Sequence, residues 1–343
     1  MIHFVFYKPL SWIVEVFLQL RHYLYDRGFF YSKEFDQPII IIGNLSFGGT
    51  GKTPLALALA EYIQKNHTVF VLSRGYGRKS KESIEVQCHH GLNSVGDEPL
   101  LIKRANPNIR VVVSNDRLIG INMINRLEPN SKVIICDDAL QHRRLNGGHR
   151  ILLTTASDPF YKDAMFPFGK LRDIMSRAAV ADSIVVSKTI SDTDQKDIKQ
   201  NCSNYSNADV IFSSIQYGEY YSVLQNKISE LQSSVVLVSA IAKSELFREE
   251  VERKAFVLKH FEYKDHYSFT KLDFQNWIDY CKEQNIFQII FTEKDLVRIT
   301  QDDMELFQSQ CIDLIALPIQ TRFIGDDSSR FFTQIDTYIN NYV

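Results

Sequence analysis

The chain has 343 residues, 45% of them hydrophobic, and a formal net charge of −2 at pH 7. This length suggests two domains, with enough apolar residues for a large core. The near-zero charge gives no reason to expect a nucleic-acid partner. The five cysteines are odd in number and form no C-x-x-C pair, which is typical of free thiols in a reducing cytoplasm. Composition therefore argues against a disulfide-stabilised secreted domain and against a basic nucleic-acid binder.

An apolar stripe with helical spacing lies within residues 10–30, and basic residues flank it. Charged and polar residues interrupt the stripe, so it falls short of the ~20 apolar residues that a membrane-spanning helix needs. It also lacks the small-residue cleavage site of a signal peptide. Two interpretations stay open from periodicity alone: a helix that lies in the membrane interface, and a helix that packs on its own domain.

From Ile39 to about Thr189, short β-branched runs alternate with amphipathic stretches. The alternation predicts strands and helices in turn. Strands are predicted at residues 39–42, 69–72, 111–113, 133–136, 151–154 and 184–186, and helices at residues 55–64, 99–105 and 117–127. This pattern predicts an α/β fold with a parallel sheet and helices on both of its faces. Ligands of such sheets bind beyond the carboxyl ends of the strands.

The first strand leads into a glycine-rich turn, and a helical pattern begins at Lys52. The turn matches the phosphate-loop pattern G-x-x-x-x-G-K-[ST], except that Ser46 replaces the first glycine. Backbone N–H groups there can hold phosphate oxygens, while Lys52 can reach the β- and γ-phosphates and Thr53 can ligate Mg²⁺. An ordinary glycine-rich turn is the alternative. We predict a nucleoside triphosphate site made by Ser46, Phe47, Gly48, Gly49, Thr50, Gly51, Lys52 and Thr53.

Charged residues also follow the other predicted strands. The strand at residues 69–72 leads into Ser73-Arg74-Gly75-Tyr76-Gly77-Arg78, which is either a phosphate-binding loop or a flexible surface turn. Asp97 and Glu98 begin a helix, where acidic residues also serve as ordinary caps. Asp137 and Asp138 end an apolar strand, as the Mg²⁺-side carboxylate does in phosphate-loop proteins.

The pattern changes beyond about residue 191. A polar helix is predicted at residues 192–207, and two strands at 210–215 and 220–224 are predicted to form a hairpin hinge around Gly218. Further strands are predicted at residues 235–238, 255–258, 287–291 and 314–317, with helices near 243–251, 271–283 and 304–309. We therefore predict an N-terminal amphipathic helix (residues 1–30), a phosphate-loop domain (31–205) and a smaller α/β domain (206–343).

Seven motifs resemble, in the same order, those of the tetraacyldisaccharide 4′-kinases of lipid A biosynthesis. They are Gly43-Asn44-Leu45-Ser46-Phe47-Gly48-Gly49-Thr50-Gly51-Lys52-Thr53-Pro54, Ser73-Arg74-Gly75-Tyr76-Gly77-Arg78, Gly96-Asp97-Glu98-Pro99, Asp137-Asp138-Ala139-Leu140-Gln141-His142, Phe166-Pro167-Phe168-Gly169-Lys170-Leu171-Arg172, Asp265-His266-Tyr267 and Thr292-Glu293-Lys294-Asp295. Each motif alone is weak, but the ordered set is highly specific. The chain departs from the family pattern at Ala139, where glycine is usual, and near Phe168, where a small residue is usual.

The resemblance implies a kinase that transfers the γ-phosphate of ATP to the 4′-hydroxyl of tetraacyldisaccharide 1-phosphate, forming lipid IVA. It implies ATP and Mg²⁺ as cofactors, the lipid substrate and the membrane surface as partners, and no nucleic acid. It also implies peripheral association with the cytoplasmic face of the inner membrane. Because a lipid with four acyl chains stays at the bilayer, the resemblance favours the interfacial interpretation of residues 10–30.

Roles for the site residues follow from the same resemblance. Asp97 would be the base and His266 would orient it, with Lys52 and Asp137 completing the catalytic set. The metal would lie near Thr53, Glu98 and Asp138. Candidates for substrate binding are Arg74, Tyr76, Arg78, Arg117, Gln141 and Arg172. Since His266 belongs to the second predicted domain, the site would lie between domains and hinge closure would complete it.

Two other classes of protein remain as alternatives. A phosphate-loop GTPase or ATPase switch would bind partners without phosphorylating a small molecule, but the chain has no N-K-x-D motif and no D-x-x-G after Asp137 or Asp138. A soluble kinase of a small metabolite would share the sheet but would not need the helix at residues 10–30. Deletion of that helix should therefore leave a soluble kinase active.

Overall fold

The structure, a computed structural model, describes residues 2–190 and 192–342, with side chains for residues 9–190 and 195–342. Within that part, the strands form a nine-stranded and a six-stranded sheet. The larger sheet contains β1 (Ile39–Asn44), β2 (Val69–Ser73), β3 (Ile84–Glu85), β4 (Arg110–Val113), β5 (Val133–Cys136), β6 (His149–Thr155), β7 (Ser183–Ser187), β8 (Asp209–Tyr217) and β15 (Ile319–Phe323). The smaller sheet contains β9 (Tyr221–Ser222), β10 (Lys227–Ile228), β11 (Ser234–Ser239), β12 (Phe256–Glu262), β13 (Gln288–Thr292) and β14 (Asp313–Leu317).

Helices connect most of these strands. They are α1 (Ile2–Asp26), α2 (Lys52–Ile63), α3 (Leu92–Val95), α4 (Asp97–Ala105), α5 (Arg117–Leu127), α6 (Asp192–Ser203), α7 (Glu245–Glu252), α8 (Lys271–Glu283), α9 (Glu293–Leu296), α10 (Gln301–Ser309) and α11 (Asp327–Asn340). Short 3-10 helices lie at Phe160–Lys162 and Met175–Val180.

The larger sheet has the strand order β15-β8-β7-β6-β1-β5-β2-β4-β3, and only its edge strands β3 and β15 pair antiparallel among the described strands. All six residues of β1 are buried. Ile40 and Ile42 pack with side chains of α2, α4 and α11, whereas Ile39 and Ile41 pack on the other face with side chains of α5. A continuous β-branched run forms such a strand because both of its faces are covered. The predicted parallel sheet with helices on both faces is confirmed.

The smaller sheet has the order β10-β9-β14-β13-β11-β12, with parallel pairing from β14 to β12. The hairpin predicted around Gly218 is wrong, because β8 pairs with β7 and β15 while β9 pairs with β10 and β14. Gly218 instead donates its N–H to the carbonyl oxygen of Pro318 at 2.9 Å. Turn residues between two apolar runs do not identify the partner of each strand, and here β8 and β9 each pair with a strand about 100 residues further along the chain, β15 and β14.

The C-terminal end of the chain returns to the larger sheet. β15 pairs with β8 from Ile319–Tyr217 to Phe323–Ser213, and Phe331, Ile335 and Ile339 of α11 join the core of that sheet. The division at residues 205 and 206 stays a prediction. Strand pairing assigns β8 and β15 to the larger sheet, and core packing assigns α11 to it, although all three lie beyond that division.

Helix α1 has two different faces. Val14 and Leu18 pack against the core cluster that includes Leu171 and Ile174. On the opposite face, large apolar side chains are exposed: Leu10, Trp12, Ile13, Val16, Phe17, Leu20 and Tyr23. No helix in residues 2–190 and 192–342 is both long and apolar enough to cross a bilayer. One side of α1 therefore packs on its own protein, and the other side presents an apolar surface.

Candidate active site

The loop between β1 and α2 lies at the carboxyl end of the central strand. Gly48 and Gly51 have φ angles of 115° and 86°, in a region that glycine enters without a Cβ penalty. Asn44, fully buried, supports the loop from below, because its Nδ2 donates to Ser46 O at 2.7 Å and to Thr50 Oγ1 at 3.0 Å. Residues 47–49 at the crest are exposed. An open glycine-rich loop at a helix N-terminus can bind phosphate groups.

A mixed cluster of charges stands beside the loop. Lys52 Nζ lies 3.3 Å from Asn44 Oδ1 and 3.7 Å from Asp138 Oδ1. Arg172 Nη1 donates to Asp138 Oδ2 at 3.1 Å, and its Nη2 contacts Asp138 Oδ1 and Asn44 Oδ1. Burial would raise the pKa of Asp138, but the Arg172 hydrogen bond and the Lys52 charge outweigh it and lower that pKa. Asp138 is therefore ionised between two cations.

Asp137 differs from its neighbour because it is 1% exposed and neither carboxylate oxygen has a hydrogen-bond partner within the described residues. Burial, followed by the nearby charge of Glu98, raises the pKa of Asp137 to about 7. A buried carboxylate without donors is costly, and a cation would supply the missing partner. Mg²⁺ bound with a nucleotide needs only one or two protein carboxylates. Asp137 and the neighbouring Asp138 can supply that number, although no cluster of three or more His, Cys, Asp or Glu side chains among the described residues is placed to hold a metal by itself.

Asp97 begins α4 and is 7% exposed. Its Oδ2 accepts hydrogen bonds from His266 Nδ1 at 2.7 Å and from Arg298 Nη2 at 3.2 Å, and its Oδ1 accepts one from Glu98 N at 2.9 Å. Burial alone would raise the pKa of Asp97, but the His266 hydrogen bond and the charge of Lys294 hold it well below its ordinary value. The structure thus brings together Asp97 and His266, which are 169 positions apart in sequence.

His266 sits in the loop after β12 with a φ of 61°. Its backbone N–H donates to Ala240 O at 3.2 Å, and its ring Nε2 lies 3.2 Å from Lys294 Nζ. With Lys294 donating to Nε2, the ring proton lies on Nδ1 and points to Asp97. The Asp97 hydrogen bond raises the pKa of His266, against the effect of burial. Loops of the smaller sheet therefore meet α4 of the larger one.

The predicted substrate-binding residues differ in exposure. Arg74 and Tyr76 are exposed, and the Tyr76 ring centroid lies 6.0 Å from that of His266. Arg78 is half-buried and its Nη2 donates to Asn115 Oδ1 at 3.1 Å. Arg74 and Tyr76 are therefore accessible to a ligand near the dyad.

Arg117 and Gln141 have contacts inside the protein. Arg117 is 3% exposed, and its Nη2 donates to the carbonyl oxygens of Asp137 at 2.7 Å and Asp138 at 3.3 Å. Gln141 Nε2 donates to Asn44 O at 2.9 Å. In this structure both side chains hold the backbone around the site, and their predicted contact with substrate stays a prediction.

Three residues of this site, Asn44, Lys294 and Arg298, received no role from sequence reasoning. Asn44 lies in the quoted phosphate-loop motif, and its position at the strand end was the available signal. Arg298 follows the Thr292-Glu293-Lys294-Asp295 motif and is 8% exposed. An arginine three positions after an aspartate is common on exposed helix faces, so nothing in the sequence distinguished this buried one.

Known proteins resemble this chain over nearly its whole length. The chain matches the family model described as Tetraacyldisaccharide-1-P 4'-kinase over residues 4–340. It is 34% identical to the tetraacyldisaccharide 4'-kinase of Cytophaga hutchinsonii over 334 residues, 96% of this chain and 94% of the relative. It is also 34% identical to that of Flavobacterium psychrophilum over 343 residues, 98% of this chain and 95% of the relative. Its fold is similar to the crystal structure of LpxK from Aquifex aeolicus in complex with ATP, with a TM-score of 0.74, 24% identity and 97% coverage of each chain.

Proposed function

Because the chain belongs to the tetraacyldisaccharide-1-P 4'-kinase family, we propose that it transfers the γ-phosphate of ATP to the 4′-hydroxyl of tetraacyldisaccharide 1-phosphate. One observation carries the assignment of the site. Asp97 and His266, from elements of opposite sheets, are in contact at 2.7 Å, at the same edge of the larger sheet as the phosphate loop. Such a meeting of a carboxylate and an imidazole suits the orientation of an attacking hydroxyl.

In the proposed reaction, the bond from the bridging oxygen to the γ-phosphorus breaks as the 4′-oxygen bonds to that phosphorus. The loop at residues 46–53 and Lys52 hold the nucleotide phosphates, and ADP leaves. Asp97 accepts the hydroxyl proton. A carboxylate with a low pKa is adequate because this class of transition state is loose and needs the hydroxyl positioned more than deprotonated early.

His266 holds Asp97 through its Nδ1–H, and Lys294 fixes the other ring nitrogen. Asp137, Asp138, Glu98 and Thr53 would hold Mg²⁺, which when bound supplies positive charge that offsets the charge on the phosphates. Lys52 and Arg172 add positive charge beside Asp138.

We also propose that α1 binds the cytoplasmic surface of the inner membrane through its exposed face, as a peripheral contact. That face carries Trp12 and Phe17, which are 66% and 64% exposed. Apolar side chains of this size on a helix with basic flanks suit the boundary between lipid headgroups and acyl chains. The arrangement would keep the site at the surface where an acylated substrate resides.

The direct test is transfer of labelled γ-phosphate from Mg-ATP to tetraacyldisaccharide 1-phosphate in detergent micelles, with Asp97→Asn protein measured alongside. Transfer by the wild type and loss in the variant support both the reaction and the base. Binding of ATP without transfer by the wild type would contradict the proposed function.

A further inference from the structure

The packed face of α1 reaches the segment that carries Arg172. Ser11 Oγ accepts a hydrogen bond from Phe168 N at 3.1 Å, and His22 Nε2 lies 2.7 Å from Asp173 Oδ1. Ser11 and His22 are about three helical turns apart and so lie on one face of the helix. Helix α1 therefore contacts both ends of the segment 168–173, at Phe168 and at Asp173.

The contact between His22 and Asp173 is a buried pair, with side-chain exposures of 5% and 1%. Asp173 Oδ1 also accepts a hydrogen bond from Ile174 N at 2.9 Å. Within the described residues, Asp173 Oδ2 and His22 Nδ1 have no partner. A buried carboxylate depends strongly on each donor it has, so the position of Asp173 depends on the imidazole N–H of His22.

Arg172 is the residue next to Asp173 and enters the phosphate site. Its guanidinium contacts both oxygens of Asp138 as well as Asn44, and its backbone N–H donates to Leu45 O at 2.8 Å. Its own Nε has no partner among the described residues. Within the described residues, the Arg172 side chain thus forms hydrogen bonds only through its two terminal nitrogens. A shift of the neighbouring Asp173 would move these nitrogens directly.

A second connection runs in parallel from the adjacent residue of α1. Arg21 Nη2 donates to Gln141 O at 3.0 Å, and Gln141 Nε2 donates to Asn44 O at 2.9 Å. Both connections converge on Asn44, which also accepts from Lys52. The inner face of α1 is thereby linked to the residues that form the phosphate site.

We propose that His22 is a positioning residue for phosphoryl transfer, acting through Asp173 to hold Arg172 against Asp138 and Asn44. The packing of α1 then sets the geometry of the phosphate site, and α1 is more than an attachment to the membrane. The predicted effect of His22 on phosphoryl transfer rests on the proposed function. The predicted effect of His22 on the affinity for Mg-ATP does not rest on it.

The test compares the full-length wild type with three single variants at His22. His22→Ala removes the donor, His22→Phe keeps the ring volume without the donor, and His22→Gln places an amide near the Nε2 position. We expect the first two to lower kcat by about 10- to 100-fold, as the loss of an outer-shell partner commonly does, and His22→Gln to recover most of it. The matched control is His149→Ala. His149 is also buried, but it is the first residue of β6 and contacts Ser183 Oγ, at the end of that strand opposite the phosphate site.

A double-mutant cycle with Arg172→Ala separates positioning from a merely structural role. If His22 acts through Arg172, then His22→Phe/Arg172→Ala has the kcat of Arg172→Ala alone. Losses that multiply, or a kcat unchanged in His22→Phe, overturn the inference. Vesicle binding should stay at the wild-type level in every His22 variant, because the exposed face of α1 is intact.

The cycle is repeated on the dissociation constant for Mg-ATP, measured by calorimetry. If the wild type transfers no phosphate, the proposed function fails, and this second cycle still decides the inference. Coupling between His22 and Arg172 in the affinity supports it, and independent effects overturn it.

Discussion

Arg298 and Asp97 form a buried ion pair that joins the two sheets, with 3.2 Å between Nη2 and Oδ2 and side-chain exposures of 3% and 8%. The other terminal nitrogen of Arg298 donates to Asp295 Oδ1 at 2.6 Å and to Ala240 O at 3.2 Å. One guanidinium thus hydrogen-bonds two buried carboxyl groups. A buried pair of this kind is costly to break, because the carboxyl groups stay buried after their cation is removed.

Arg298→Met should therefore destabilise the protein by about 3 kcal/mol or more. It should also lower kcat, since Asp97 loses one of the donors that hold it. Urea unfolding and steady-state kinetics measure the two effects. Arg330→Met is the control, because Arg330 pairs with Asp327 and Asp209 at an exposed site. Equal stability changes in both variants would contradict the role given to Arg298.

Asp97→Asn and His266→Asn should each slow transfer by about 10²- to 10⁴-fold, the usual contribution of general acid–base groups. Neither residue contacts the phosphate loop, so the Mg-ATP dissociation constant should change little. Rapid-mixing kinetics and calorimetry separate these quantities. His260→Asn is a control on the same sheet, where His260 bonds Ser239. A loss of ATP affinity as large as the loss of rate would count against the dyad.

Lys52→Ala should cost roughly 3 kcal/mol of transition-state stabilisation, by analogy with other donors that act on developing charge. The reason is the position of Lys52, 3.7 Å from Asp138 at the base of the loop. The measurement is kcat/KM for ATP, and the control is Lys65→Ala, an exposed lysine just beyond the C-terminal end of α2. A near-normal rate in Lys52→Ala would remove the phosphate-loop interpretation.

Stability should fall as pH rises because of Glu293. Burial raises the pKa of Glu293 to about 7 from an ordinary value of 4.5. Between these values the unfolded chain ionises Glu293 while the folded chain keeps it protonated, so ionisation favours unfolding by up to about 3 kcal/mol. Urea unfolding across this range should show the fall, and Glu293→Gln should reduce it. The exposed Glu305→Gln should leave it unchanged; an unaltered fall in Glu293→Gln would refute the assignment.

The exposed face of α1 should govern binding to vesicles. Trp12→Ser and Phe17→Ser should each weaken binding to vesicles that contain anionic lipid by about 2 kcal/mol, the scale of burying one large apolar side chain. Sedimentation with vesicles gives the partition constants. The exposed Tyr342→Ser, at the C-terminal end, is the control. Wild-type partitioning in both α1 variants would show that this face does not meet the membrane.

Sequence reasoning predicted the larger sheet well because a buried parallel strand can be identified from its own few residues, which form a continuous apolar run. Each of β1, β5 and β7 is a short β-branched run that is fully buried. It failed at β8 and β9, because the partner of Tyr217 is Ile319 and no local signal reports pairing over such a separation. It also passed over α11, although Phe331 and Ile335 stand one helical turn apart and could have been detected.

The site was predictable in part for the same reason. Lys52 and Asp138 belong to motifs whose local spacing expresses their chemistry. The contact of His266 with Asp97 rested on resemblance alone, since two distant loops must meet to make it. The guanidinium of Arg117 donates to the backbone carbonyl oxygen of Asp137 at the end of β5, a contact that no local pattern reports, and its predicted contact with substrate stays a prediction. Only the tertiary structure distinguishes these cases.

The contact between Gly218 and Pro318 has a topological consequence. The chain leaves the larger sheet after β8 and returns to it at β15, which pairs with β8. The residues between these two strands, which include the smaller sheet, therefore form an insertion whose two ends are in contact. Excision of that insertion and closure with a short linker would preserve the β8–β15 ladder.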